Sequence, residues 1–96
     1  MQSPLRFEWD DAKDRANRKK HGIAFAEAQT AFFDENALRF LDPDDSAGED
    51  RFILLGMSSK LRVLVICHCF RDRASVIRIV SAGKADKREA KSYWRE

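Results

Sequence analysis

The sequence predicts an α+β fold, with helices packed on an antiparallel sheet, and three observations carry that prediction. Between Ala24 and Phe33 apolar residues recur at helical spacing, with Phe25, Ala28 and Phe32 on one face. From Arg51 onward three β-rich runs, RFILLGMS, RVLVICHCF and SVIRIVSA, are separated by turn-forming residues. After Lys84 the pattern turns helical and highly charged. At 96 residues, one modest core in one domain spanning 1–96 is all the chain can build.

Leu5–Glu8 alternates weakly and reads as a short first strand. Asp10 or Asp11 caps a helix running to about His21, and Gly22 ends it. Acidic residues at its start and basic ones at its end suit the helix dipole. Its only apolar stripe is Ala12 and Ala16, so a shallow seat is expected. The second helix, Ala24 to about Phe33, follows across a tight Gly22-Ile23 junction. Its two phenylalanines make it a core element rather than a reader of a DNA groove. Ala37–Leu41 reads as a strand. The acidic loop LDPDDSAGED follows, either a docking surface or a solvated loop. Arg51–Ser58, Arg62–Phe70 and Ser75–Ala82 are the remaining strands, the last two joined as a hairpin across Arg71–Ala74. A C-terminal helix joins the N-terminal helix pair in covering the sheet; Tyr93 or Trp94 is expected to anchor it, unless Tyr93 stacks on a base.

Charge is unevenly divided. Residues 1–50 carry seven Lys/Arg and twelve Asp/Glu, a balance of −5, whereas residues 51–96 carry eleven and four, a balance of +7. A basic half suits a polyanion such as RNA, unless the two halves neutralise each other once folded. The N-terminus MQSPLRFEWD has no apolar run, and no stretch nears the ~20 apolar residues of a membrane span. A cytoplasmic protein with no membrane contact is expected. Cys67 and Cys69 stand two apart on a strand and face the same way, where a disulfide would be strained. Cys-His-Cys is not a zinc spacing, so no metal or other cofactor is expected and the cysteines read as small hydrophobes.

His68 is a titratable ring inside an apolar strand. Alternation puts Ile66, His68 and Phe70 on one face and Val65, Cys67, Cys69 and Arg71 on the other. The short hairpin places His68 across from Ile77 or Arg78. On a shared face the Arg78 guanidinium would lower the histidine pKa and favour a neutral, proton-accepting ring. His68, Arg71 and Arg78 are therefore candidate catalytic residues for metal-free RNA cleavage. That reaction needs a base for the 2′-hydroxyl, cations for the phosphorane and an acid for the leaving oxygen. A core histidine and an ion-paired arginine are the plainer alternatives. Lys19, Lys20 and His21 at the end of the first helix, Arg51 at a strand start, and Lys84 and Lys87 near the last helix are candidate RNA-binding residues, or else a solvated surface.

FEWDDAKDRANRKKHGIAFAEAQTAF, RFILLGMS and VLVICHCFRDRASVIRIVSAGKADKREAKSYW together resemble the BrnT family over Phe7 to Tyr93. These are ribonuclease toxins of the bacterial BrnT–BrnA type II toxin–antitoxin system. The resemblance implies a RelE-like fold and a metal-independent endoribonuclease that cleaves mRNA and arrests translation. It implies a BrnA-like ribbon–helix–helix antitoxin as partner, through which alone the complex would contact DNA. Its motifs cover Lys20 and His21 in KHGI, then Arg51, His68, Arg71, and Arg78 in IRI. The family pattern continues SA with Arg or Lys, where this chain has Gly83 before Lys84. That departure supports a second expectation, a catalytically weakened homologue acting mainly as an antitoxin-binding subunit in operon repression.

Overall fold

The chain runs β1 (Arg6–Glu8), α1 (Asp11–His21), α2 (Phe25–Thr30), a 3-10 turn (Ala31–Phe33), β2 (Leu38–Leu41), β3 (Phe52–Met57), β4 (Val63–Arg71), β5 (Val76–Lys84) and α3 (Lys87–Trp94). The computed structural model describes residues 5–42 and 50–95, so most of the acidic loop lies outside the described residues. The strands form one sheet in the order β1-β5-β4-β3-β2.

The pairs β2–β3, β3–β4 and β4–β5 are antiparallel, as the hairpin pattern predicts. β1 departs from that expectation. It joins the outer edge of β5 in parallel, with Phe7 beside Ile77 and Glu8 beside Arg78. Everything from α1 to β4 acts as the crossover that a parallel pair needs. The sheet is therefore mixed rather than antiparallel.

α1 starts where expected, with the Asp10 carboxylate accepting from the backbone of Ala12 at 2.8 Å and Lys13 at 3.2 Å. It ends at Gly22, whose φ of 74° suits glycine and whose N–H bonds to the Arg18 carbonyl. Its seat differs from the alanine stripe: Ala12 and Ala16 are exposed, and Asn17 is the buried residue. The Asn17 amide donates to the carbonyls of Ile23 and Ala82, both at 2.8 Å, and accepts from the Ala82 N–H at 3.1 Å. This side chain takes the place of a strand neighbour on the edge of β5 beyond the end of β1. The second predicted helix is split into α2 and the 3-10 turn.

One sheet face carries Leu54, Leu64, Ile66, Ile79 and Ala82 against Ile23, Phe25, Ala28 and Ala31, which forms the core. α3 lies on the other face. Its Glu89 and Ser92 border a 150 Å³ cavity with Phe40, Ile53, Leu55 and Val65. Asp86 and Glu89 form a reciprocal capping box at its start. Tyr93 is its anchor, buried and donating to Asp34 at 2.6 Å, while Trp94 is exposed.

The β4–β5 hairpin turns through three successive left-handed residues that are not glycine: Asp72 (φ 51°), Arg73 (φ 55°) and Ala74 (φ 69°). Each such residue costs roughly 1–2 kcal/mol. Ala74→Gly relieves that strain and gives part of the gain back as unfolded-chain entropy. A net stabilisation of about 0.5–1 kcal/mol is expected, measured as a higher urea midpoint at unchanged slope.

Candidate active site

Direct strand neighbours share a face of the sheet. Across β4 and β5, Cys69 lies opposite Arg78, Arg71 opposite Val76 and Cys67 opposite Ser81. β1 brings Glu8 beside Arg78 and Arg6 beside Val76. Phe52 lies opposite His68 on the core face, so Arg51, one residue earlier, falls on the opposite side, with Cys69 and Arg78. The Asp42 N–H bonds to the Arg51 carbonyl at 2.8 Å, extending the β2–β3 pairing by a step. Arg51, Arg71 and Arg78 thus share the face that α3 meets only in part. Arg71 is exposed and the other two are half-buried.

Acidic groups are interleaved with these cations. Arg78 Nη1 donates to Glu8 Oε2 at 2.8 Å, with the two side chains 30% and 42% exposed. Arg6 and Asp72 form an exposed pair at 3.4 Å beyond it. The Cys67 thiol donates to Asp42 Oδ2 at 3.8 Å. Burial first, and then Asp42, push the Cys67 pKa up against the pull of Arg51, so the thiol stays protonated and is not an activated nucleophile.

The expectation that His68 stands beside Arg78 is corrected. Cys67 lies opposite Ser81 but His68 lies opposite Ile79, so the ladder skips Val80 in a β-bulge. His68 faces the core and is wholly buried. Its ring centroid sits 4.8 Å from Phe32, 5.5 Å from Phe70 and 6.1 Å from Phe52. Nδ1 lies 3.2 Å from the Ile66 carbonyl, and Nε2 has no hydrogen-bond partner among the described residues. Burial lowers its pKa to about 4, the Ile66 carbonyl opposes that shift, and Arg39 adds to it. The ring is neutral, as expected, but because it is buried, and the cation it senses is Arg39 rather than Arg78. The sequence carried the signal: Ile66 and Phe70 share its face.

The remaining predicted cations border the arginine face or lie away from it. Lys19, Lys20 and His21 are exposed at the end of α1. Lys20 and His21 line a cleft of about 260 Å³ with Lys13, Ala16, Asn17, Val80 and Ser81. Since Ser81 lies on the arginine face, this cleft adjoins it along β5. Gly83 lies next to the cleft. A Cβ there would meet His21 Nδ1 at 3.7 Å, an ordinary contact, so a larger residue fits. Lys84 ends β5 rather than opening the last helix, and Lys87 is the first residue of α3; both are exposed. Arg71 and Lys84 stand at opposite ends of the hairpin, roughly 25 Å apart at strand spacing. Glu8 is the residue that sequence reasoning passed over, because its place beside Arg78 depends on the parallel pairing of β1.

Among the described residues no group of three or more His, Cys, Asp or Glu is placed to hold a metal ion. No described helix is long and apolar enough to cross a membrane.

Residues 9–89 match the model of a family described as the ribonuclease toxin, BrnT, of type II toxin–antitoxin systems. The fold is similar to the 1.1 Å crystal structure of the Brucella abortus ribonuclease toxin, BrnT, with a TM-score of 0.67 and 20% identity. That match covers 88% of this chain and 100% of the other. No curated protein matches the chain.

Proposed function

Because the chain belongs to the BrnT family of ribonuclease toxins of type II toxin–antitoxin systems, we propose that it cleaves mRNA on the arginine face of its sheet, without a metal ion, and so arrests translation. The observation that carries this reading is the convergence of Arg51, Arg71 and Arg78 on one accessible face. Guanidinium groups bind phosphate oxygens in pairs and remain charged at every working pH. Fixed in a strand array, they favour the phosphorane, whose charge exceeds that of the ground-state diester. Lys20 extends the positive surface along β5 with His21 beside it as a hydrogen-bonding group, and Lys19, Lys84 and Lys87 hold more distant backbone phosphates. His68 serves the core instead. A BrnA-like ribbon–helix–helix antitoxin is the proposed partner, carrying any DNA contact, with the pair acting in the cytoplasm.

Arg71→Ala and Arg78→Ala are each expected to lower RNA cleavage by the purified chain about 10²–10³-fold, the usual loss for one transition-state donor. Their circular dichroism should match the parent, and a chelator should leave the parent's rate unchanged. Full activity in both variants would remove the arginine face from the mechanism.

A second reading is favoured by Gly83, where the family pattern has a cation and this chain leaves space against His21. In it the chain is a weakened toxin that mainly binds its antitoxin in operon repression. An inert parent that gains cleavage in the Gly83→Arg variant would select this reading.

A further inference from the structure

The arginine face holds guanidiniums to stabilise charge, and the histidine that reaches it, His21, lies at its Ser81–Gly83 end rather than beside Arg78. His68 points into the core, and His21 stands at the edge of β5. The carboxylates on or beside the face are Asp42, which the protonated Cys67 thiol approaches, Asp72, paired with the exposed Arg6, and Glu8, which is the one bonded to Arg78. We infer that Glu8 removes the 2′-hydroxyl proton in RNA cleavage, an inference that rests on the ribonuclease reading above.

Geometry supports the assignment. Parallel pairing fixes Glu8 directly beside Arg78, and its carboxylate is held through Oε2 while the side chain remains 42% exposed. Around it stand Arg78 from β5, Arg71 and Cys69 from β4, and Arg6 on its own strand, the last paired with Asp72. An arginine partner alone would make a carboxylate a poor base. A phosphodiester seated on Arg78 changes that balance. It shares the guanidinium's hydrogen bonds, which leaves a Glu8 oxygen free to face the 2′-hydroxyl beside the phosphate.

The step then balances. The 2′-hydroxyl proton passes to a Glu8 oxygen, and the 2′-oxygen pair forms a bond to phosphorus. The bond from phosphorus to the 5′-oxygen breaks, and that oxygen takes a proton from water. The products are a 2′,3′-cyclic phosphate and a 5′-hydroxyl end, and Glu8 returns its proton to the hydroxide left behind. As Glu8 becomes neutral it loosens its hold on Arg78 just as charge builds on the phosphorane. Arg78 therefore binds the transition state better than the ground state, which is the condition for acceleration.

The test compares the parent with Glu8→Gln and Glu8→Asp on a short RNA, and measures binding to the same RNA carrying a 2′-methoxy group at the scissile position. Glu8→Gln should lose about 10²–10⁴-fold in kcat. Its KM should be unchanged or lower, its methoxy-RNA affinity equal or tighter, and the acid limb of its pH–rate profile absent. Glu8→Asp, which keeps the carboxylate one methylene back, should retain more activity than Glu8→Gln. An active parent with a Glu8→Gln kcat within threefold, or with the acid limb intact, overturns the assignment alone. A parent that binds the methoxy RNA but cleaves no RNA overturns the ribonuclease reading, and this assignment with it.

Discussion

Glu27→Ala should destabilise the fold by about 3 kcal/mol, near the lower end of what breaking a buried ion pair costs. Glu27 sits on α2 with only 4% of its side chain exposed. Arg62, just before β4, grips it side-on, donating from Nε to Oε2 at 2.8 Å and from Nη2 to Oε1 at 2.5 Å. The buried Ser58 hydroxyl adds a bond at 2.7 Å. The Arg62 hydrogen bond holds the Glu27 pKa below its ordinary value although burial opposes this. Truncation leaves Ser58 without that acceptor and Arg62 without a counter-ion. Arg62 is 30% exposed and can turn partly to water, which keeps the cost from the top of the range. For a domain of this size, 3 kcal/mol corresponds to a fall in Tm of roughly 12–24 °C. A loss below 1 kcal/mol would show that the cluster does not clamp α2 to the β3–β4 turn.

Acid should lower stability over two pH windows, and His68 should govern the first. Unfolded histidine takes a proton near pH 6.5, whereas His68 in the fold resists until about pH 4. Between those values the unfolded state binds the extra proton, so stability falls with falling pH. The slope is about 1.4 kcal/mol per pH unit, for a total of roughly 3 kcal/mol. Above pH 6.5 this contribution is fully present. Below the ordinary carboxylate range Glu27 adds a second loss, because its lowered pKa stabilises the fold only while the carboxylate is ionised. His68→Leu removes both the titrating ring and its unpartnered Nε2. It should match or exceed the parent's stability at pH 7 and flatten the profile between pH 6.5 and 4 in urea titrations. It should also cleave RNA at the parent rate. A folded His68→Leu variant that has lost cleavage would return His68 to the reaction.

Much of the sheet was legible because β3, β4 and β5 alternate cleanly and the charged tail after Lys84 breaks that alternation. The helix ends were legible from Asp10 and Gly22. What escaped were contacts whose partners lie far apart in the chain. β1 has three residues and pairs with a strand 70 positions later, which no local pattern reveals. The bulge at Val80 was hidden inside the regular alternation of VIRIV, yet it decides what His68 faces. Asn17 seats α1 through its amide, where a search for apolar stripes sees only a polar residue. For the candidate site, residue type singled out His68, Arg71 and Arg78 as catalytic and Arg51 as RNA-binding; the register puts the three arginines on one face and His68 on the other. Glu8 could not be placed beside Arg78 from sequence, because that position depends on the strand it joins.

The Asn17 amide also decides how this sheet can grow. A strand whose N–H and C=O are already taken by a side chain cannot template another chain. Beyond Asn17, β1 offers an edge of only three residues. Among the described residues the outer side of β2, with Phe40 and Leu41 exposed, is the longer edge without a strand partner. Of the two sheet edges among the described residues, β2 is therefore the one better able to accept a further strand.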